Sequence, residues 1–175
     1  MGEKHIAWAI TGSGHFLAEC VKRLNRFENL DVFLSRAAEE VLRMYRLWET
    51  IYSGPARVYR EAGASAPYAG RFSKGMYRVL VVAPATSNSV AKFVHGISDT
   101  LVTNLFAQAG KSRVPIIVLP TDIAPEMESF TPRGEPIKVY PRPIDLENVQ
   151  RLSQFPGVRV VSSPEELEAC LATYL

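Results

Sequence analysis

Cysteine and histidine are scarce in this chain, two and three residues respectively in 175, and their scarcity excludes several chemistries. Cys20 and Cys170 belong to no CxxC pair, so neither a four-cysteine cluster nor a paired-thiolate zinc site can be built within one copy. No metal is expected, and both residues read as buried thiols in a reducing compartment. An excess of one charge is also missing. The formal net charge is +2, with Lys and Arg interspersed among Asp and Glu, which leaves no basic stripe to follow a phosphate backbone, so nucleic acid is not an expected partner. No apolar run approaches the ~20 residues that span a bilayer. Residues 1–10 lack the basic segment, apolar run and small-residue cleavage site of a secretory signal. A cytoplasmic protein with no membrane association is therefore expected. A third glycine is missing too: Leu17 stands where GxGxxG would continue from Gly12 and Gly14, which argues against an NAD-dependent Rossmann enzyme.

What is present is apolar material, 47% of residues, enough for one sizeable core and hence one domain over residues 1–175. Short apolar runs alternate with segments of helical period, the pattern of a parallel sheet covered on both faces. Strands are expected at 6–10, 30–34, 79–83, 114–119 and 158–161, with a short one at 57–59. Phe16, Leu17, Cys20, Val21 and Leu24 share one helix face, and a second helix carries Val41, Leu42, Tyr45, Trp48 and Ile51. Further helices follow Ser89, span 146–152, and start at Pro164, where Ser163 and Glu166 offer a cap and a capping-box acid. Trp8 and Trp48 read as core. Residues 52–75 and 120–136 read as loops, the second too long to be carried without a use.

In open parallel sheets, ligands settle outside the carboxyl ends of the strands, where strand order reverses. Three polar turns fall there: Gly12-Ser13-Gly14, Ser35, and Thr86-Ser87-Asn88. The first suits a phosphate, because glycines let the backbone approach and helix-start amides point at the anion. No Lys or Arg lies in it, so hydroxyls of Ser13 or Ser35 would add the remaining bonds. His15 and His95 lie near these turns, and each is open to a general acid or base role or to a capping or packing one.

At Pro84-Ala85-Thr86-Ser87-Asn88-Ser89, followed by Gly96-Ile97-Ser98-Asp99-Thr100-Leu101, the chain resembles the PASANT and GIADNLL segments of the flavin-containing Cys-decarboxylase superfamily, flavoproteins of flavodoxin-like or Rossmann-like α/β fold. The resemblance implies FMN bound at a subunit interface of a homo-oligomer, usually trimer-based. It assigns Gly12, Ser13 and Ser35 to the phosphate, with Gly14 of the same turn also cofactor-binding, and Ala85, Thr86, Ser87 and Asn88 to the flavin. Asp99 would contribute to the inter-subunit site. The peptidyl-cysteine decarboxylases of the superfamily carry a histidine before the PASANT strand and PxMNxxMW after the next. Here residues 70–78 contain no histidine and Pro120-Thr121-Asp122-Ile123 lacks the Met-Asn pair, which disfavours decarboxylation. Pro120 stands where the related flavin prenyltransferases have Arg.

Ala7-Trp8-Ala9-Ile10-Thr11-Gly12, Met44-Tyr45-Arg46-Leu47-Trp48 and Asp145-Leu146-Glu147-Asn148-Val149 are similar to a narrower branch, the archaeoflavoproteins and the acceptor-type dihydromethanopterin reductases. That likeness implies an FMN-dependent oxidoreductase taking electrons from ferredoxin or a similar donor and reducing the C=N bond of a dihydropterin. The alternative is a ferredoxin-linked electron carrier with no small substrate, and the two differ in whether a pterin-sized pocket lies over the flavin. Pterin contacts are expected from 67–75 and 120–136; no catalytic residue is assigned.

Overall fold

The computed structural model describes residues 4–62 and 67–175. Six parallel strands form one sheet in the order β3-β2-β1-β4-β5-β8: β1 (His5–Ile10), β2 (Leu30–Leu34), β3 (Arg57–Arg60), β4 (Tyr77–Ala85), β5 (Ile116–Pro120) and β8 (Val158–Val160). The chain winds outward in one direction from β1 and in the other from β4, so strand order reverses between these two neighbours.

Alternation along the strands feeds two cores, one on each face. Ile6, Trp8 and Ile10 of β1, with Val79 and Val81 of β4, pack against α1 (Leu17–Leu24) and α8 (Pro164–Ala172). Ala7 and Ala9, with Leu80 and Val82, meet α5 (Ser87–Val94) and α6 (Leu101–Lys111). Both faces being covered, the central strands carry the near-continuous apolar runs seen in the sequence. Among the described residues no helix is long and apolar enough to cross a membrane.

Four expectations are corrected. The predicted helix through Tyr45 and Ile51 is two, α2 (Arg36–Met44) and α3 (Trp48–Tyr52). Arg46 between them takes φ 58, and Leu47 N–H reaches Leu42 O at 2.8 Å, closing α2 with a left-handed residue. Apolar periodicity runs straight through such a stop when no glycine marks it. Trp48 is half-buried, with the Arg43 guanidinium 4.0 Å from its ring centre. Phe16 is likewise left-handed, φ 63, and precedes α1 rather than joining its face. The Glu166 carboxylate bonds Ser162, while Ser163 caps Glu166 N–H at 3.1 Å.

The 120–136 connection contains the start of a β-hairpin, β6 (Met127–Phe130) paired antiparallel with β7 (Pro136–Val139). Its turn, Thr131-Pro132-Arg133-Gly134, is closed by Gly134 N–H to Thr131 O at 2.9 Å, and Gly134 has φ 81. Pro at the second turn position and a left-handed glycine are the signal that could have found it. In the 52–75 stretch, part of which (63–66) lies outside the described residues, β3 pairs with β2. A 3-10 turn at Pro67–Ala69 and α4 (Gly70–Ser73) pack against α6.

At the reversal point the β1 and β4 ends are tied together. Trp8 Nε1 donates to Ala83 O at 2.8 Å. Thr11 Oγ1 donates to Pro84 O at 2.8 Å and accepts from Thr86 N–H at 2.9 Å. Thr11→Val keeps the shape and removes both bonds, leaving a carbonyl and an amide without that partner. We expect it to lower unfolding free energy by about 1–3 kcal/mol, measured by urea denaturation; an unchanged midpoint contradicts this account of the junction.

Candidate functional site

The carboxyl ends of β1, β2 and β4 open into a cavity of about 410 Å³ lined by Thr11, Gly12, Ser35, Glu61, Thr86, Asn88, Lys92 and neighbouring residues. Gly12 is required there by packing. A Cβ on it would lie 2.4 Å from Ala37 Cβ, so the first turn of α2 can approach the β1 turn only where no side chain intervenes. Ser35 caps α2, accepting from Ala38 N–H at 3.0 Å. Thr86 caps α5 through Ser89 N–H at 3.3 Å. Asn88, one residue inside α5, is therefore not the cap; its amide is exposed and has no hydrogen-bond partner among the described residues.

Four of the residues singled out in the sequence, Gly12, Ser35, Thr86 and Asn88, share this cavity. Ala85 is fully buried in the core at the end of β4 and does not line the cavity. Asp99 is exposed and does not line the cavity. It holds Lys92 Nζ at 2.8 and 2.9 Å, and that lysine, whose hydrogen bond keeps the Asp99 carboxyl below its ordinary range, does line it. The expectation of a site without ion pairs is corrected: Arg36 and Lys92 reach it from α2 and α5. Glu61, Lys92 and Thr100 carry no local signal and become legible only once the sheet order is known.

Ser13 and Gly14 face the other way, into a second cavity of about 190 Å³. Ser13 N–H is bonded to Thr11 O at 2.9 Å, and Ser13 Oγ accepts His15 N–H at 3.2 Å, so the turn spends donors on itself rather than presenting them to an anion. Thr121 and Asp122 after β5, Tyr45, and Met127, Ser129, Phe130, Ile137 and Val139 of the hairpin complete the lining. A Cβ on Gly14 would fall 2.0 Å from Tyr45 Oη, and that hydroxyl donates to Phe130 O at 2.8 Å, which pins the hairpin over the turn. Ser87 joins the two cavities by donating to Asp122 Oδ2.

His15 sits in the second cavity, its Nδ1 3.2 Å from Ser129 Oγ and its buried Nε2 without a partner among the described residues. Burial lowers its pKa against the opposing pull of Glu19 and Asp122. Burial raises the Asp122 carboxyl, helped by Asp145 and opposed by the Thr121 hydroxyl, His15 and Arg142. His95 is exposed at the end of α5 and lines neither cavity, so an acid or base role for it is withdrawn. Of the 67–75 stretch expected to contact a substrate, residues 70–75 lie at the amino ends of the strands, where Arg71 bonds Asp31, and no residue of the stretch lines either cavity within one copy. Among the described residues, no group of three or more His, Cys, Asp or Glu could hold a metal ion.

A parallel sheet with a cavity at its reversal point, capped by a glycine turn, a serine and the 84–89 segment, defines an α/β protein of flavodoxin-like fold. The chain belongs to the Flavoprotein family, whose model matches residues 1–174. It is 43% identical to Burkholderia xenovorans DmrB, crystallised in complex with FMN as a cubic protein cage for redox transfer; the match covers 97% of this chain and 94% of that one, with a TM-score of 0.88. It is 32% identical over 235 aligned positions to dihydromethanopterin reductase (acceptor) of Methanosarcina mazei, covering 95% of this chain and 98% of that protein. An uncharacterized protein of Methanocaldococcus jannaschii is 36% identical, with 97% and 95% covered.

The raised Asp122 pKa fixes the sign of a stability effect. The native state holds a proton on this carboxyl at pH values where the unfolded chain has lost it, so stability falls as pH rises through that window. Asp122→Asn removes the burden while keeping an acceptor for Ser87. We expect the variant to gain thermal stability relative to wild type at pH 7 and to lose that advantage near pH 3.5. An advantage independent of pH in matched melting curves contradicts the assignment.

Proposed function

We propose that this protein is an FMN-dependent oxidoreductase that reduces the C=N bond of a dihydropterin with electrons from ferredoxin or a similar small iron-sulfur donor. The observation that carries the reading is the convergence of Gly12, Ser35, Thr86 and Asn88 on one cavity of about 410 Å³, in a chain 43% identical over nearly its whole length to a protein crystallised with FMN. The cavity fits the group: its volume of about 410 Å³ lies within the ~300–1,000 Å³ of cofactor sites, Gly12 lets the first turn of α2 close against the β1 turn at its wall, and Asn88 offers an uncommitted amide.

Ser35, Arg36 and Lys92 supply a hydroxyl and two cations for a phosphate, and Gly12 admits the α2 backbone beside it. Thr86 and Asn88 give the polar edge of a ring both donors and an acceptor. Bound FMN supplies the hydride chemistry. The second cavity, next door across Ser87 and Asp122, supports an enzyme over a bare electron carrier, because a carrier needs no second pocket. A homo-oligomer, probed as a trimer-based assembly, accords with the cage reported for DmrB and with exposed Ile97, 46% accessible, beside Asp99. A decarboxylase is disfavoured by the missing histidine and Met-Asn pair.

The purified protein is expected to be yellow with noncovalent FMN. After anaerobic reduction, dihydromethanopterin should reoxidise the flavin; reoxidation by a protein acceptor alone points to the carrier, and a colourless protein that takes up no FMN refutes both. Asn88→Asp is expected to leave apoprotein melting unchanged, Thr86 being the cap, and to weaken binding of reduced FMN by roughly tenfold or more, about 1.4 kcal/mol, through repulsion at the ring edge that becomes anionic on reduction. Equal affinities of the two proteins in both redox states would retire this role.

A further inference from the structure

The second cavity, which the proposed function leaves without named recognition contacts, has the features of a recognition site. Asp122 Oδ2 accepts from Ser87 and, at 3.4 Å, from Thr121, while Oδ1 accepts no hydrogen bond among the described residues. His15 is held through Nδ1 by Ser129 Oγ, which leaves its buried Nε2 with nothing to bond; buried polar atoms are rarely left so without a purpose. Met127, Ile137 and Val139 give an apolar wall, with Phe130 59% exposed at the rim, while the Ser13 and Tyr45 hydroxyls that also line the cavity are bonded to His15 N–H and Phe130 O. Among the described residues no Lys or Arg lines the cavity, which disfavours a phosphate or carboxylate group. At about 190 Å³, less than half the volume of its neighbour, it suits a bicyclic ring system rather than a whole nucleotide.

We infer that this cavity is a subsite for a flat nitrogen heterocycle with an amino group beside a ring N–H, as on the 2-amino-4-oxo edge of a pterin, read by Asp122 and His15 and flanked by Phe130. A carboxylate matches two adjacent N–H donors and repels a ring oxygen in the same place. The imidazole Nε2 takes a further ring donor or acceptor according to its tautomer. The exposed aromatic face of Phe130 covers the ring plane. Ser87 spaces this ligand from whatever occupies the first cavity, since the residue after it, Asn88, lines that cavity. The choice of a pterin-like ring rests on the pterin-reduction reading; the donor and acceptor pattern rests on Asp122 and His15.

The test uses two probes that differ only at ring position 2, 6-methylpterin with an amino group and 6-methyllumazine with an oxygen. Binding to the protein as purified is read from ligand fluorescence, and FMN retention is measured separately by dialysis. Wild type is expected to prefer the pterin by tenfold or more, and Asp122→Asn to abolish that preference with FMN retention unchanged. Phe130→Ala, on the exposed hairpin, should weaken both probes several-fold without altering the preference. No preference in wild type, a preference that survives Asp122→Asn, loss of FMN from that variant, or unchanged affinity in Phe130→Ala each overturns the proposal. A protein that discriminates the probes but holds no FMN supports this subsite and refutes the flavin reading, so the two fail separately.

Discussion

The hydroxyl of Thr11 joins the two strands between which the sheet reverses, and both cavities are built outward from it. It is 2% exposed, and it uses its donor on Pro84 O and a lone pair on Thr86 N–H. A side chain that only donates or only accepts cannot do both. With the junction fixed, Gly12 and Gly14 face opposite sides of one short turn. Gly12 is pressed against Ala37 and Gly14 against Tyr45, so α2 reaches the turn at both its ends. The Thr86 to Asn88 segment leaves the same junction toward the first cavity, while Ser87 reaches Asp122 at the second.

At the opposite end of the sheet, beside a cavity of about 490 Å³ lined by Phe72, Tyr77 and Lys111 among others, the strands are tied by charge. Asp31 is 1% exposed, and it takes the Tyr77 hydroxyl at 2.8 Å and Arg71 Nη1 at 3.1 Å. Arg71 also bonds the Tyr59 hydroxyl at 2.9 Å and lies over the Tyr59 and Tyr68 rings. A buried carboxylate without such partners would be strongly destabilising. Bonds to Tyr59 and then Tyr77 push the Arg71 pKa up, and burial foremost raises Tyr77, so neither titrates near neutral pH. Each end of the sheet keeps one imidazole nitrogen without a hydrogen bond, His5 Nδ1, 3.4 Å from Asp31 Oδ1, at the amino end and His15 Nε2 at the carboxyl end, but only at the carboxyl end does it sit in a cavity beside a carboxyl whose proton affinity burial raises. That division matches the rule that ligands take the carboxyl ends of parallel strands.

Periodicity and turn chemistry made the strands legible because each central strand is covered on both faces, so its apolar run is uninterrupted. The strand-end turns were legible because small and polar residues stand there, Gly12 where α2 packs close, Ser35 and Thr86 where helices need caps. Left-handed Arg46 and Phe16 were not, since nothing in their side chains announces the conformation. The division of the site into two cavities was also hidden. Ser13 and Gly14 adjoin Gly12 in sequence, yet the turn directs them to the other side. Glu61, Lys92 and Asp122 come to the cavities from separate elements, and their roles depend on sheet order and on the hairpin that Tyr45 pins in place.

The first cavity's electrostatics follow from where its helices begin. One carboxylate, Glu61, accepts the N–H of Arg36 at 3.0 Å and of Leu101 at 2.7 Å, the first residues of α2 and α6. Helix starts carry orphan amides and partial positive charge, and an acidic group there is favourable by ~0.3–1 kcal/mol or more. Ser35, Thr86 and Thr100 each cap one further amide of the three helices that meet here. The amides that a glycine turn and helix starts would offer to an anion are therefore largely committed within the chain. An anion entering this cavity gains the ends of α2 and α6 only by replacing Glu61, so its affinity is set by the difference between two anions at one place. The cations Arg36 and Lys92 supply the margin, and Asp99, by holding Lys92, sets how much of that margin is free.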